Sequence, residues 1–375
     1  MLQIYTVLGT RPQIIKSAAI SRAITGSGLP IQETILHTGQ HYDANLCDDL
    51  ISELELTIPH YNLAAKASNP SQQTAIILQQ LAAICVENVP DAMLVFGDTT
   101  STLAASLVAS QLSIPLIHVE AGLRCYNKNT PEEINRIVCD ATSTYLFAPT
   151  KVAYDQLLKE FPTANTTPKP SINSPLVHFV GDVMYDNVCH YLPTITRKLD
   201  IIEEYAIRKP FALLTIHRAQ NTTTHEIKKV IQTLLPLLDT TCIVFPIHPR
   251  TLAAIRQLEP EFTSKFLQHA NLVLIDPIQY KKMLYLQSQA NIIITDSGGI
   301  QKEAFFLKKP CIVLRSETEW VELIENKNSV LCPLDAPTLL QQYTTLLAAQ
   351  PTYPHYYGEG NAANKIIATI YEYLI

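Results

Sequence analysis

Short apolar runs of strand length alternate with segments of helical period along almost the whole of this 375-residue chain. Runs at 2–8, 34–38, 93–96, 116–119 and 146–148 make one set, and those at 211–216, 242–246, 272–275, 292–295 and 311–314 a second. Amphipathic segments fall between them, among others at 12–24, 100–111, 154–161, 225–238 and 280–290. Apolar strands alternating with helices predict an α/β fold of parallel sheets with helices on both faces.

A chain of this length, 47% hydrophobic, is too long for one core and suits two domains. The polar, Pro-rich stretch 162–175 (PTANTTPKPSINSP) reads as the linker, and the strand-helix rhythm restarts after it. We therefore expect a Rossmann-like domain over 1–168, a second over 169–360, a cleft between them, and a final helical segment, 361–375, packing back on the first domain.

The net charge is −6, charged residues make up 17%, and no basic or acidic run occurs, so neither nucleic acid nor a membrane surface is an expected partner. No run approaches the roughly 18 apolar residues that span a bilayer. The opening MLQIYTVLGTRP lacks a basic leader and reads as a buried strand, which implies a cytoplasmic protein. Eight scattered cysteines without a CxxC pair imply free buried thiols, not a disulfide framework or a zinc site.

Open α/β sheets bind ligands at the carboxyl ends of their strands, so residues directly after the apolar runs carry the functional information. After 292–295 comes Asp296-Ser297-Gly298-Gly299, opening a helix whose free N–H groups and dipole suit a diphosphate. Glu303 shares that helix face and can accept ribose hydroxyls. After 2–8 comes Gly9-Thr10-Arg11-Pro12, where Arg11 offers a planar fork to phosphate oxygens and Lys16, one turn on, adds to the field. Asp98, Glu120 and the helix start Glu132-Glu133 supply acids from neighbouring βα units, which can divide acid and base roles. His217-Arg218 ends the run at 211–216 and can neutralise a diphosphate or protonate a leaving group. His41 and His248 are weaker candidates. Each has a plainer alternative: Ser297 and Asp98 as helix N-caps, Glu132 as a first-turn charge, Arg11 as a surface arginine. No P-loop, GxGxxG, HExxH or nucleophile-elbow pattern occurs, so no metal site is expected.

The ordered set GTRPQIIK, GDTTSTLAA, HVEAGLR, PEEINR, TIHR, TDSGGIQKEA, RSETEWVE and YGEGNAA resembles the non-hydrolysing UDP-N-acetylglucosamine 2-epimerases, over essentially the whole chain. The resemblance implies a GT-B-like fold, a homodimer, a UDP-sugar substrate and no cofactor. It implies anti elimination of UDP to a 2-acetamidoglucal, then re-addition. It marks Asp98, Glu120, Glu132 and His217 as catalytic. It marks Arg11, Lys16, Arg136, Arg218, Ser297, Gly298, Gly299, Glu303 and Arg315 as substrate or UDP-binding. Gln40, His41 and His248 fall where some members hold an effector UDP-sugar. Gln13, Gln220 and Trp320 depart from the common motifs, and with TGQHYD they resemble the branch acting on UDP-2,3-diacetamido-2,3-dideoxyglucuronate. The competing readings are a GT-B glycosyltransferase, a hydrolysing 2-epimerase and a non-catalytic UDP-sugar sensor.

Overall fold

The structure, a computed structural model, describes residues 1–375 except 41–43, 199, 217, 333–337 and 350. Its elements run β1 (Leu2–Leu8), α1 (Arg11–Ser27), β2 (Ile31–His37), α2 (Ala44–Glu53), β3 (Tyr61–Asn62), α3 (Pro70–Glu87), β4 (Ala92–Phe96), α4 (Thr100–Gln111), β5 (Leu116–Val119), α5 (Pro131–Thr142), β6 (Tyr145–Ala148), α6 (Lys151–Glu160), β7 (Leu176–Phe179) and α7 (Val183–Lys198). They continue α8 (Ile201–Glu204), β8 (Phe211–Thr215), α9 (Thr224–Leu238), β9 (Cys242–Pro246), α10 (Pro249–Arg256), α11 (Pro260–Leu267), β10 (Leu272–Ile275), α12 (Tyr280–Gln289), β11 (Ile292–Thr295), α13 (Gly298–Phe306), β12 (Cys311–Val313), α14 (Val321–Glu325), β13 (Ser329–Leu331), α15 (Leu339–Ala348) and α16 (Ala362–Leu374).

The chain divides into two compact units, 1–189 with 355–375, and 190–354. The first holds a parallel seven-stranded sheet in the order β3-β2-β1-β4-β5-β6-β7. The second holds a parallel six-stranded sheet in the order β10-β9-β8-β11-β12-β13. Both repeat the Rossmann pattern, in which strand order reverses between the first and fourth strands. The central strands β4, β8 and β9 are buried at every residue, as helices on both faces require.

The division falls at 189/190, later than the boundary at 168 that composition suggests. The stretch 162–175 is a loop of the first unit, stitched by Thr163, Asn165 and Ser174, and the strand that follows it, β7, pairs with β6. Pro and polar residues mark where a strand cannot run; they do not distinguish a loop within a unit from a link between units.

Helix α16 packs on α1, and its start is held by Asp186, whose carboxylate accepts the N–H of Ala362 (3.0 Å) and Ala363 (2.7 Å). Burial pushes Asp186 up to about 6, against the pull of those two N–H groups. A folded-state value above the unfolded one gives a contribution to stability that is present below about pH 4 and lost as pH rises through about 6. We expect stability to drift down by about 2 kcal/mol between pH 4 and 7 from this group. Asp186→Asn should flatten that drift in thermal melts across the range; an unchanged slope would assign it to other groups.

Candidate active site

In the first unit the strand order reverses between β1 and β4, and the loops after β1, β4 and β5 meet there. Gln13, where the resembled pattern has Glu, ties the first two together. Its Oε1 accepts the Gly9 N–H (2.8 Å), and its Nε2 donates to the Phe96 carbonyl (2.9 Å) and the Thr99 hydroxyl (3.0 Å). A glutamate could not donate to that carbonyl, so the amide suits this buried position.

Asp98 follows β4. Its Oδ2 lies 2.6 Å from Arg136 Nη2, and its carbonyl accepts from Asn135 Nδ2 at 2.8 Å; both partners stand on α5. Glu120 follows β5 in the left-handed backbone region, at φ +72, which a non-glycine side chain rarely adopts. Two bonds hold it there: the N–H groups of Glu120 and Ala121 both donate to the Phe147 carbonyl, at 3.1 Å. The Glu120 side chain is buried, and Lys16 Nζ donates to its Oε1 at 2.6 Å. Lys16, expected beside an anion, therefore stands against Glu120.

The adjacent acids of α5 differ. Glu132 is exposed in the first turn. Glu133 is buried and accepts the N–H groups of Cys125 and Tyr126 and one arm of Arg136, all at 2.9 Å. Burial alone would raise its carboxyl; the two N–H groups and Arg136 outweigh that and hold it below the ordinary range. Arg136 thus bridges Asp98 and Glu133. Arg11 is half-buried as the first residue of α1. Gln40 accepts from the Ser101 N–H (3.1 Å) and hydroxyl (2.7 Å), which anchors it to α4.

Behind the acids lies a buried charge network that motif reading passed over. His118, in the middle of β5, places Nδ1 2.7 Å from Asp140 Oδ1 and Nε2 2.8 Å from the Gly97 carbonyl. Asp140 also takes Arg124 Nη1 at 2.7 Å and the Gly122 N–H at 3.2 Å. Burial disfavours both charges, yet Cys139 and Asp140 raise His118 well above its ordinary value, and His118 and Arg124 lower Asp140. Nothing within three or four residues of His118 predicts this, since Asp140 lies 22 positions on.

In the second unit the reversal falls between β8 and β11. Ser297 caps α13 by accepting the Ile300 N–H (3.5 Å), the plainer of its two readings, which leaves the helix start as a donor site. An added Cβ at Gly298 would sit 2.4 Å from Glu319 Oε1, and Glu319 is paired with Arg315 at 3.0 Å. Glu303 is buried and accepts Gln287 Nε2 at 2.6 Å. The fully buried Asp296 accepts the Arg218 N–H and Asn221 Nδ2, both at 3.0 Å, and so orders the loop after β8. His217 in that loop, and His41, lie outside the described residues. His248 is exposed and caps α10, with Nδ1 accepting the Arg250 N–H at 3.2 Å. Among the described residues no His, Cys, Asp and Glu cluster could hold a metal ion, and no helix is long and apolar enough to cross a membrane.

Two Rossmann-like units, one with paired acids and cations at its strand ends and the other with a glycine-opened helix start, define a GT-B-like enzyme of the kind that handles nucleotide-linked substrates. The family is specific: the chain belongs to the UDP-N-acetylglucosamine 2-epimerases, whose family model matches residues 26–371. It is 39% identical over 372 residues to a UDP-N-acetylglucosamine 2-epimerase homolog of Methanococcus maripaludis, covering 98% of this chain and 99% of that one. It is 35% identical over 368 residues to the UDP-2,3-diacetamido-2,3-dideoxy-D-glucuronate 2-epimerase of Pseudomonas aeruginosa, covering 97% and 98%. The crystal structure of Methanocaldococcus jannaschii UDP-GlcNAc 2-epimerase in complex with UDP-GlcNAc and UDP superposes with a TM-score of 0.86 at 33% identity, covering 99% and 100%.

Proposed function

We propose that this protein inverts carbon 2 of a UDP-linked, N-acetylated sugar by anti elimination of UDP and its re-addition. The observation that carries this is the pair of acids on adjacent strand ends, Asp98 against Arg136 and Glu120 against Lys16, in a chain of the epimerase family. A C2–H is weakly acidic and needs a positioned base, while the departing diphosphate needs fixed positive charge and N–H donors. A carboxylate takes the C2 proton; the C–H pair becomes the C1=C2 bond and the C1–O bond breaks towards UDP. UDP then re-adds at C1 while a proton reaches C2 from the opposite face. The alkene erases the C2 stereocentre, so the inversion needs no nicotinamide.

Asp98, Glu120 and Glu132 share the proton transfers, with Arg136 and Lys16 orienting the first two. Arg11, His217, Arg218 and Arg315 attend the diphosphate. Ser297, Gly298, Gly299 and Glu303 take the nucleotide. Gln40, His41 and His248 stand as an effector group on the strength of the resemblance alone. The homodimer rests on the same ground.

UDP-GlcNAc and UDP-2,3-diacetamido-2,3-dideoxyglucuronate are the two substrates the relatives suggest. Each should be incubated with the protein alone in D2O and followed by proton NMR. We expect one to give its C2 epimer with deuterium at C2 and UDP still attached. Epimer without deuterium would remove the elimination mechanism. Free sugar with UDP would make it a hydrolysing epimerase, and no turnover without an acceptor would favour a transferase.

A further inference from the structure

We propose that His118 is a positioning residue for the acid pair: an imidazolium that clamps the turn carrying Asp98 to the turn carrying Glu120. This rests on the epimerase reading for what the acids do, but the clamp itself stands on geometry. Both ring nitrogens of His118 face acceptors, the Gly97 carbonyl at 2.8 Å and the Asp140 carboxylate at 2.7 Å. A carbonyl and a carboxylate have no hydrogen to give, so the ring must carry one on each nitrogen and is a cation. The ring is fully buried, and a buried cation requires a paired anion, which Asp140 supplies. Asp140 in turn is shared with Arg124, and Arg124 Nε donates to Glu160 Oε1 at 2.9 Å. Two cations and two carboxylates therefore balance, and Cys139 is the remaining titratable neighbour of the ring.

What the network holds is the local geometry of the acids. Gly97 immediately precedes Asp98, and its φ of +60 turns the chain at the end of β4. Gly122, whose N–H donates to Asp140, lies two residues after Glu120, in a turn where Glu120 and Gly122 have φ of +72 and +85. Asp140 stands on α5, the helix that also carries Glu132 and Arg136. His118 therefore joins three pieces of backbone whose relative placement sets where the carboxylates point. A proton-transfer group displaced by about 1 Å loses on the order of 100-fold in rate, so such a clamp has a large lever on turnover.

The test uses the whole protein, with Gln, Asn and Phe each placed at 118. A glutamine amide reaches where Nε2 sits and can still donate to Gly97; an asparagine amide reaches only the Nδ1 position towards Asp140. We expect His118→Gln to keep kcat within about tenfold of the wild type. His118→Asn and His118→Phe should lose about 10–100-fold, with KM and the Kd for UDP changed less than about threefold in all. In wild-type protein labelled with 15N-histidine, the His118 ring should show two protonated nitrogens from pH 6 to 8.5. A ring with one bare nitrogen at pH 7 overturns the clamp, whether or not any variant folds. So does unchanged kcat in all three variants, or a loss that follows melting temperature equally in Gln and Asn. A wild type inactive on both UDP-sugars would instead remove the epimerase reading, and the ring signature would still decide the clamp.

Discussion

Glu120→Gln is expected to lower kcat by about 10²- to 10⁴-fold while leaving the Kd for UDP within about twofold, because it removes a proton-transfer group without changing shape. The amide is nearly isosteric, and the backbone that holds residue 120 at φ +72 is fixed by N–H groups of residues 120 and 121, not by the side chain. What the substitution does change is charge: Lys16 Nζ, 2.6 Å from Oε1 and buried, would lose its anion. Leaving a buried ammonium unpaired costs stability, so the melting temperature should fall by a few degrees as well. Steady-state turnover and UDP titration calorimetry separate the two effects. Turnover close to wild type in a fully folded variant would take Glu120 out of the chemistry. The charge-restoring pair, Lys16→Met with Glu120→Gln, should recover melting temperature but not turnover.

The second large effect is on the fold. Gly122→Ala should destabilise the protein by about 3 kcal/mol or more, read as a lower urea midpoint. Gly122 has φ +85, and an added Cβ would stand 2.5 Å from the Ala153 carbonyl and 2.7 Å from Leu157 Cγ. The first of these is backbone in α6 and cannot turn aside. Relief requires shifting either the helix or the 120–122 turn, and the latter moves Glu120. Turnover should therefore fall with stability. A variant as stable as the wild type would mean that α6 yields, and the turn would be less tightly packed than its distances indicate.

Much of the architecture was open to reading before any coordinate was known. Ten strands lie within a few residues of the apolar runs, whereas the short edge strands β3, β7 and β13 match none of them; helices such as Thr100–Gln111 begin and end where their period and caps imply. Those signals are local, because an apolar run or a Thr N-cap acts over a handful of residues. The loop at 162–175 misled for the complementary reason. Whether β7 completes the first sheet or opens the second depends on a pairing with β6, about 30 residues earlier, which composition does not encode.

The acids divide in the same way. Asp98 and Glu120 announce themselves at the ends of apolar runs. Glu132 and Glu133 are indistinguishable as letters, yet neighbours on a helix face directions about 100° apart, and the loop at 125–126 reaches only Glu133. Lys16 reads as a cation near an anion site, and in the fold its nearest anion is the protein's own Glu120.

Periodicity, strand-end chemistry and motif order were enough, without coordinates, to specify a pair of parallel α/β units and the family they belong to, because each is written in residues close together in the chain. The partners of the charged groups were decided only by tertiary structure. Lys16 with Glu120, Arg136 with Asp98, and His118 with Asp140 and Gly97 are contacts across 104, 38, 22 and 21 positions, made by strand pairing and helix docking. Electrostatic energy depends on distance in space, and in a buried setting a few ångströms determine whether an acid is a reagent or a strut.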